Sequence, residues 1–136
     1  MSSLLAYIAY YNGAYGDTIR IATHSKEWIE LFKNNVQNII SGSKKSFDIC
    51  KMPHVKCAEI IHSLELHKVI RSHTPCIFLE QTDQGSHFIW EQDANELEHL
   101  ICLIDALLDE NCTNGHQYLE GSDTNYTIEF SYNEEN

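Results

Sequence analysis

Apolar residues along this chain switch between a period of two and a period of 3.6, and the switches mark out its elements. Residues 4–11, rich in Tyr and Ile, read as a strand, and Gly13-Ala14-Tyr15-Gly16 as a turn. Asp17 to Thr23 alternates, with Ile19 and Ile21 on one face and Arg20 on the other. Ser25 is a fitting N-cap for a helix whose stripe is Ile29, Phe32, Val36, Ile39 and Ile40, and Gly42 ends it. Phe47 and Ile49 alternate again as a strand.

The same order then returns. Cys76 to Thr82 reads as a strand, Asp83-Gln84-Gly85 as a turn, and Ser86 to Gln92 as a strand with Phe88 and Trp90 on one side. Asp93 and Glu96 form a capping-box pattern ahead of the stripe Leu97, Leu100, Ile104, Leu107 and Leu108. Gln117 to Glu120 and Tyr126 to Tyr132 close the chain as a hairpin around Gly121-Ser122-Asp123. A shift of 68 residues lays Ser25 on Asp93, the first helical stripe on the second, Ile21 on Ile89 and Ile60 on Ile128. Residues 54–70 satisfy both rhythms: Cys57, Ile60, Ile61 and Leu64 have helical spacing, while Leu64-Glu65-Leu66-His67 alternates; the repeat favours a strand.

The expectation is therefore an α+β fold. It has two ββαββ-like halves, residues 1–70 and 71–136, with mainly antiparallel sheet packed by two amphipathic helices. At 136 residues the chain fits one compact domain, 1–136, and Ser72 to Pro75 is too short a linker to separate two.

Charge changes the picture more than composition does. Residues 1–68 hold eight Lys or Arg against six Asp or Glu, whereas residues 69–136 hold Arg71 alone against fourteen acids. The net charge is −11 with neutral His. Such a field repels nucleic acid and anionic membrane and attracts basic partners. The first eleven residues lack the basic start of a signal peptide, and no apolar run reaches the ~18 residues of a membrane span. Cys50, Cys57, Cys76, Cys102 and Cys112 show no framework spacing and read as unpaired thiols. A cytoplasmic location follows from these features.

Catalytic and cofactor signatures do not occur. There is no nucleophile elbow, no glycine-rich phosphate loop and no paired Cys or His at zinc spacing. Glu59-Ile60-Ile61-His62 and Glu96-Leu97-Glu98-His99 match E-x-x-H, but that chemistry needs four inward-facing helices. No cofactor and no metal is expected. The second helix offers the best working surface, with Asn95, Glu98, Cys102, Asp105 and Asp109 on one face and Glu110 beyond, and no Lys or Arg four residues away. Glu91, His116 and Glu120 lie near it in sequence. Tyr7, Tyr10, Tyr11 and Tyr15, with Tyr118, Tyr126 and Tyr132, add residues typical of protein contacts.

The acidic helix Asp93–Glu110 and the segments Gly115-His116-Gln117-Tyr118-Leu119 and Thr127-Ile128-Glu129-Phe130 resemble bacterial toxin-immunity proteins of the contact-dependent growth inhibition type. The resemblance is one of kind, over the second half of the chain. It implies a non-catalytic monomer or homodimer that binds and neutralises a cognate toxin domain with a basic surface, often a nuclease. Glu91, Glu98, Asp105, Asp109, Glu110, His116 and Glu120 would be the contacting residues. Two other readings stand beside it: a small enzyme assembling His116 or His62 with carboxylates, and a homo-oligomeric structural protein pairing through an edge strand.

Overall fold

Two mixed β-sheets share one core with two helices, and each sheet takes strands from both halves of the chain. The computed structural model describes residues 4–13, 16–70, 77–82, 85–120 and 126–134, with only the backbone of Phe78, Gln81 and Glu120. The elements are β1 (Ala6–Gly13), β2 (Gly16–Thr23), α1 (Lys26–Ser41), β3 (Ser46–Asp48), β4 (Val55–Cys57), β5 (Ser63–Lys68), β6 (Ile77–Thr82), β7 (Gly85–Gln92), α2 (Ala94–Leu108), β8 (Gly115–Glu120) and β9 (Thr127–Tyr132).

Sheet A runs β4-β1-β2-β9-β8 and sheet B runs β3-β5-β7-β6. The hairpin β1–β2 joins the closing hairpin β8–β9, and the hairpin β6–β7 joins the closing strands of the first half, β3 and β5. The registers agree as well as the order. Gly13 opposes Gly16 as Thr82 opposes Gly85, and Ile8 opposes Ile21 as Ile77 opposes Trp90. At the parallel centre of each sheet, Thr18↔Thr127, Arg20↔Glu129 and Ala22↔Ser131 answer to His87↔Ser63, Ile89↔Glu65 and Glu91↔His67. The antiparallel expectation therefore holds for β1–β2, β3–β5, β6–β7 and β8–β9, while the central pairing of each sheet, β2–β9 and β5–β7, is parallel. The short β4, added parallel to β1, exists only in the first half among the described residues.

One uniform shift of 68 residues describes the helices and fails for the strands. The opening hairpins superpose at 69, placing Ile19 on Phe88 and Ile21 on Trp90, and the strands β5 and β9 superpose at 64, placing Leu64 on Ile128 and Leu66 on Phe130. All of these side chains are buried, whereas Ile89 points to the other face and Ile60 is half exposed. A one-residue slip exchanges the two faces of a strand, so the pairing of Ile21 with Ile89 is corrected to Trp90; Ile60 lies between β4 and β5, so its pairing with Ile128 is corrected to Leu64.

Local chemistry fixes the ends. Ser25 Oγ accepts from Trp28 N, and Asp93 and Glu96 form the full capping box. Gly42 closes α1 at φ 88°, a left-handed conformation that costs glycine little. Residues 54–70 resolve to β4 and β5, which settles the strand reading, and Ile49 opens a short 3-10 turn instead of extending β3. The expected turns at Ala14-Tyr15, Asp83-Gln84 and Gly121-Ser122-Asp123, the linker Ser72 to Pro75, and Cys76 lie outside the described residues.

The core is one cluster to which both sheets and both helices contribute. Phe32 of α1 meets Phe130 of β9 at 5.0 Å and Phe47 of β3 at 5.7 Å, and Tyr10 of β1 meets Phe88 of β7 at 5.9 Å. Cys50 and Cys57 form a disulfide, which corrects the reading of all five cysteines as unpaired thiols. It ties the 3-10 turn to β4. Cys102 and Cys112 are free. Among the described residues no helix is long and apolar enough to cross a membrane.

Candidate functional site

The residues expected to form one acidic wall occupy three different surfaces. Glu98, Asp105 and Asp109 project from the exposed side of α2, and Glu110 follows it, all four exposed. Glu91 lies on β7 opposite His67, on the face of sheet B turned away from Trp90 and the core. His116 and Glu120 belong to β8 in sheet A. The helix delivers Glu98, Asp105 and Asp109 together because helical spacing puts them on one face, with Glu110 just beyond its end; the strands carry the rest elsewhere.

The missing lysines of α2 are supplied by α1. Lys33 Nζ lies 2.6 Å from Asp105 Oδ1, and this hydrogen bond raises the Lys33 pKa. Lys26 Nζ donates to the Asp109 carbonyl at 2.7 Å, so the start of α1 lies against the end of α2. The Asp109 carboxylate accepts from Asn111 N at 2.8 Å and closes the helix end. Two of the four helical acids thus have structural tasks. Glu98 and Glu110 remain as outward charge, joined on the neighbouring helix by the exposed Glu27.

A second assembly lies on the outer face of sheet A. Three cross-strand rows build it: Tyr7, Ala22, Ser131 and His116; Ala9, Arg20, Glu129 and Tyr118; and Tyr11, Thr18 and Thr127. Arg20 is 5% exposed and Glu129 is 7% exposed, although Tyr7, Tyr11, Tyr118 and His116 around them meet solvent. Burying charge this way requires partners. Tyr11 donates to Glu129 Oε1 at 2.6 Å, Arg20 Nη2 donates to Ser131 Oγ at 2.8 Å, and Ser131 Oγ donates to Glu134 Oε1 at 2.9 Å. His116 Nδ1 is 3.1 Å from both carboxylate oxygens of Glu134, and its ring meets Tyr118 edge-on at 5.3 Å. Arg20 Nε has no hydrogen-bond partner among the described residues.

Electrostatics in this network follow from its contacts. Burial alone would raise the Glu134 pKa, but the hydrogen bonds from His116 and Ser131 outweigh it and hold the carboxyl below its usual range. Burial, then the bond to Glu129, pushes the Tyr11 hydroxyl up to about 12. A groove of about 790 Å³ runs beside the network, from Leu4–Tyr7 and Ala22–His24 to Asn133 and Glu134.

Ser–His contacts also occur on sheet B. Ser63 Oγ and His87 Nδ1 are 2.7 Å apart, and the His87 ring packs on His62 at 4.8 Å. Ser63 is 4% exposed, so the contact fastens β5 to β7 and leaves no accessible nucleophile. Sequence reasoning placed His116 at a site but missed Arg20, Glu129 and Glu134 as its company. The available signal was a charged residue flanked on both sides by apolar ones, Arg20 between Ile19 and Ile21 and Glu129 between Ile128 and Phe130. The chain matches no family model, no curated protein and no solved structure.

Proposed function

We propose that the protein is a non-catalytic binder that engages and neutralises a basic partner protein, in the manner of the toxin-immunity proteins it resembles. The observation that carries this reading is that Glu98 and Glu110 stay exposed at and just beyond α2 after Lys33 has been engaged by the Asp105 carboxylate and Lys26 by the Asp109 backbone carbonyl. Unpaired like charges on a helix pair cost a few tenths of a kcal/mol each and contribute nothing to the fold. Their use is then external. With a net charge of −11 they draw a cationic surface in at a salt-sensitive rate.

The contact set is smaller than the sequence implied. The Asp105 carboxylate ties α2 to α1, the Asp109 carboxylate caps the helix end at Asn111 N, and Glu91 and His116 lie on the two sheets. The test is binding of the purified chain to a purified basic nuclease domain encoded beside it, followed by calorimetry across a salt series. The affinity is expected to fall as salt rises, and to fall at least about tenfold when Glu98 and Glu110 are both changed to Ala. Unchanged affinity in that double variant, or no binding, would overturn the reading. Inhibition of the domain's cleavage at one-to-one stoichiometry separates a neutraliser from a mere adhesive.

A further inference from the structure

We infer that His116, Glu129 and Glu134 form a binding site for a borderline divalent cation of the zinc class. Each residue offers one ligand atom, and the three atoms lie within 4.8 Å of one another. One imidazole nitrogen and two carboxylate oxygens suit zinc and leave coordination positions open to water or to a partner's side chain. The donors come from adjacent antiparallel strands and the turn that follows them, with His116 of β8 opposite Ser131 of β9, so the backbone of a sheet fixes their spacing.

The surroundings favour this use. Tyr11 fastens one oxygen of Glu129, and Ser131 fastens one oxygen of Glu134. Such outer hydrogen bonds orient metal ligands and tune their basicity. Glu129 is also a buried carboxylate on a solvent-facing sheet, a position with a desolvation cost that a cation offsets. Arg20 opposes the cation and is drawn aside onto Ser131. Counting Arg20, Glu129, Glu134 and a neutral His116, the cluster keeps one negative charge, so it attracts a divalent ion. The donors are too far apart in sequence to form a short-spacing motif.

The experiment is titration of the metal-free full chain with zinc chloride by calorimetry at pH 7.5 and at pH 5.5. One equivalent should bind at pH 7.5. At pH 5.5 binding should weaken, because protons compete with the metal for its ligands. His116→Ala and Glu134→Gln, both at surface positions, should each weaken binding at least about tenfold, and Tyr11→Phe about tenfold through the orientation of Glu129. Far-ultraviolet circular dichroism verifies that each variant is folded. No zinc uptake by the parent chain would overturn the assignment. So would wild-type affinity in His116→Ala and Glu134→Gln, or loss of binding on His62→Ala, His87→Ala or Cys102→Ser in their place.

Discussion

Arg20 and Glu129 stand directly opposite one another on the parallel strands β2 and β9, both buried on the sheet face that their neighbours expose to water. Neither residue packs into the apolar core, yet each is shielded as completely as a core residue. Arg20 is held by Ser131 and Glu129 by Tyr11, so the two charges act on one another across adjacent strands rather than through a shared hydrogen bond. Arg20→Met and Glu129→Gln should each destabilise the protein by roughly 3 kcal/mol, and the double variant by clearly less than the sum. Urea unfolding of the four proteins gives the coupling directly. Additive losses would show that the two charges are stabilised independently.

Alkaline stability should depend on two tyrosines. Burial, then a hydrogen bond to Asp17, moves the Tyr10 hydroxyl to about 12, and burial, then Glu129, does the same for Tyr11. The unfolded chain releases these protons first, near pH 10. The stabilisation is therefore whole below about pH 10 and disappears as pH rises toward 12. Urea midpoints measured between pH 9 and pH 12 should fall, and fall less steeply in Tyr11→Phe.

The two helix caps should be of similar worth. Ser25→Ala and Asp93→Ala are each expected to cost about 1 kcal/mol, because each removes the side-chain acceptor of one first-turn N–H, while Glu96 still accepts from the backbone N–H of residue 93. Thermal unfolding of both variants ranks them. A silent Asp93→Ala would mean that the box is redundant.

The Cys50–Cys57 link closes a short loop, with a sequence separation of 7. Chain-entropy reasoning assigns such a loop roughly 2.5 kcal/mol. Replacing both cysteines by serine should lower stability by about that much. Reductant should lower the Tm of the parent and leave the double variant unmoved.

Much of the fold was legible from the sequence, for reasons that particular residues show. Ser25, Gly42 and the Asp93–Glu96 pair announce the helix ends because capping is local chemistry within three or four residues. The turn and alternation signals gave β1, β2, β6 and β7 for the same reason. Pairing is non-local, so nothing in the alternation of Leu64 to His67 tells that β5 lies beside β7 and not beside a strand of its own half. The uniform shift of 68 residues failed where insertions of one to four residues separate the halves, and only the burial of Ile21 and Trp90 reveals it.

The candidate site was less legible. Helical spacing correctly grouped Glu98, Asp105 and Asp109, but Lys33 and Lys26 reach them from a helix some seventy residues earlier. Arg20, Glu129 and Glu134 come together only through the β2–β9 pairing. Cys50 and Cys57 were visible, but their disulfide depends on the 3-10 turn and on β4 docking beside β1, which no local pattern announces.

The exchange of strands between the halves has a consequence for how the molecule can come apart. Neither half retains a complete sheet without the other, so a polypeptide severed between Lys68 and Ile77 should leave two fragments that are individually unstructured and mutually templating. Mixed in solution, they would knit back into the parent shape, each threading its last strand beside the other's hairpin. During synthesis the centre of sheet A must wait for β9, the final strand, and until then β2 offers a vacant flank that the same strand of a neighbouring molecule can take. The symmetry that gives the fold its order thus also makes entangled dimers its most accessible error, and crowded refolding is where they should accumulate.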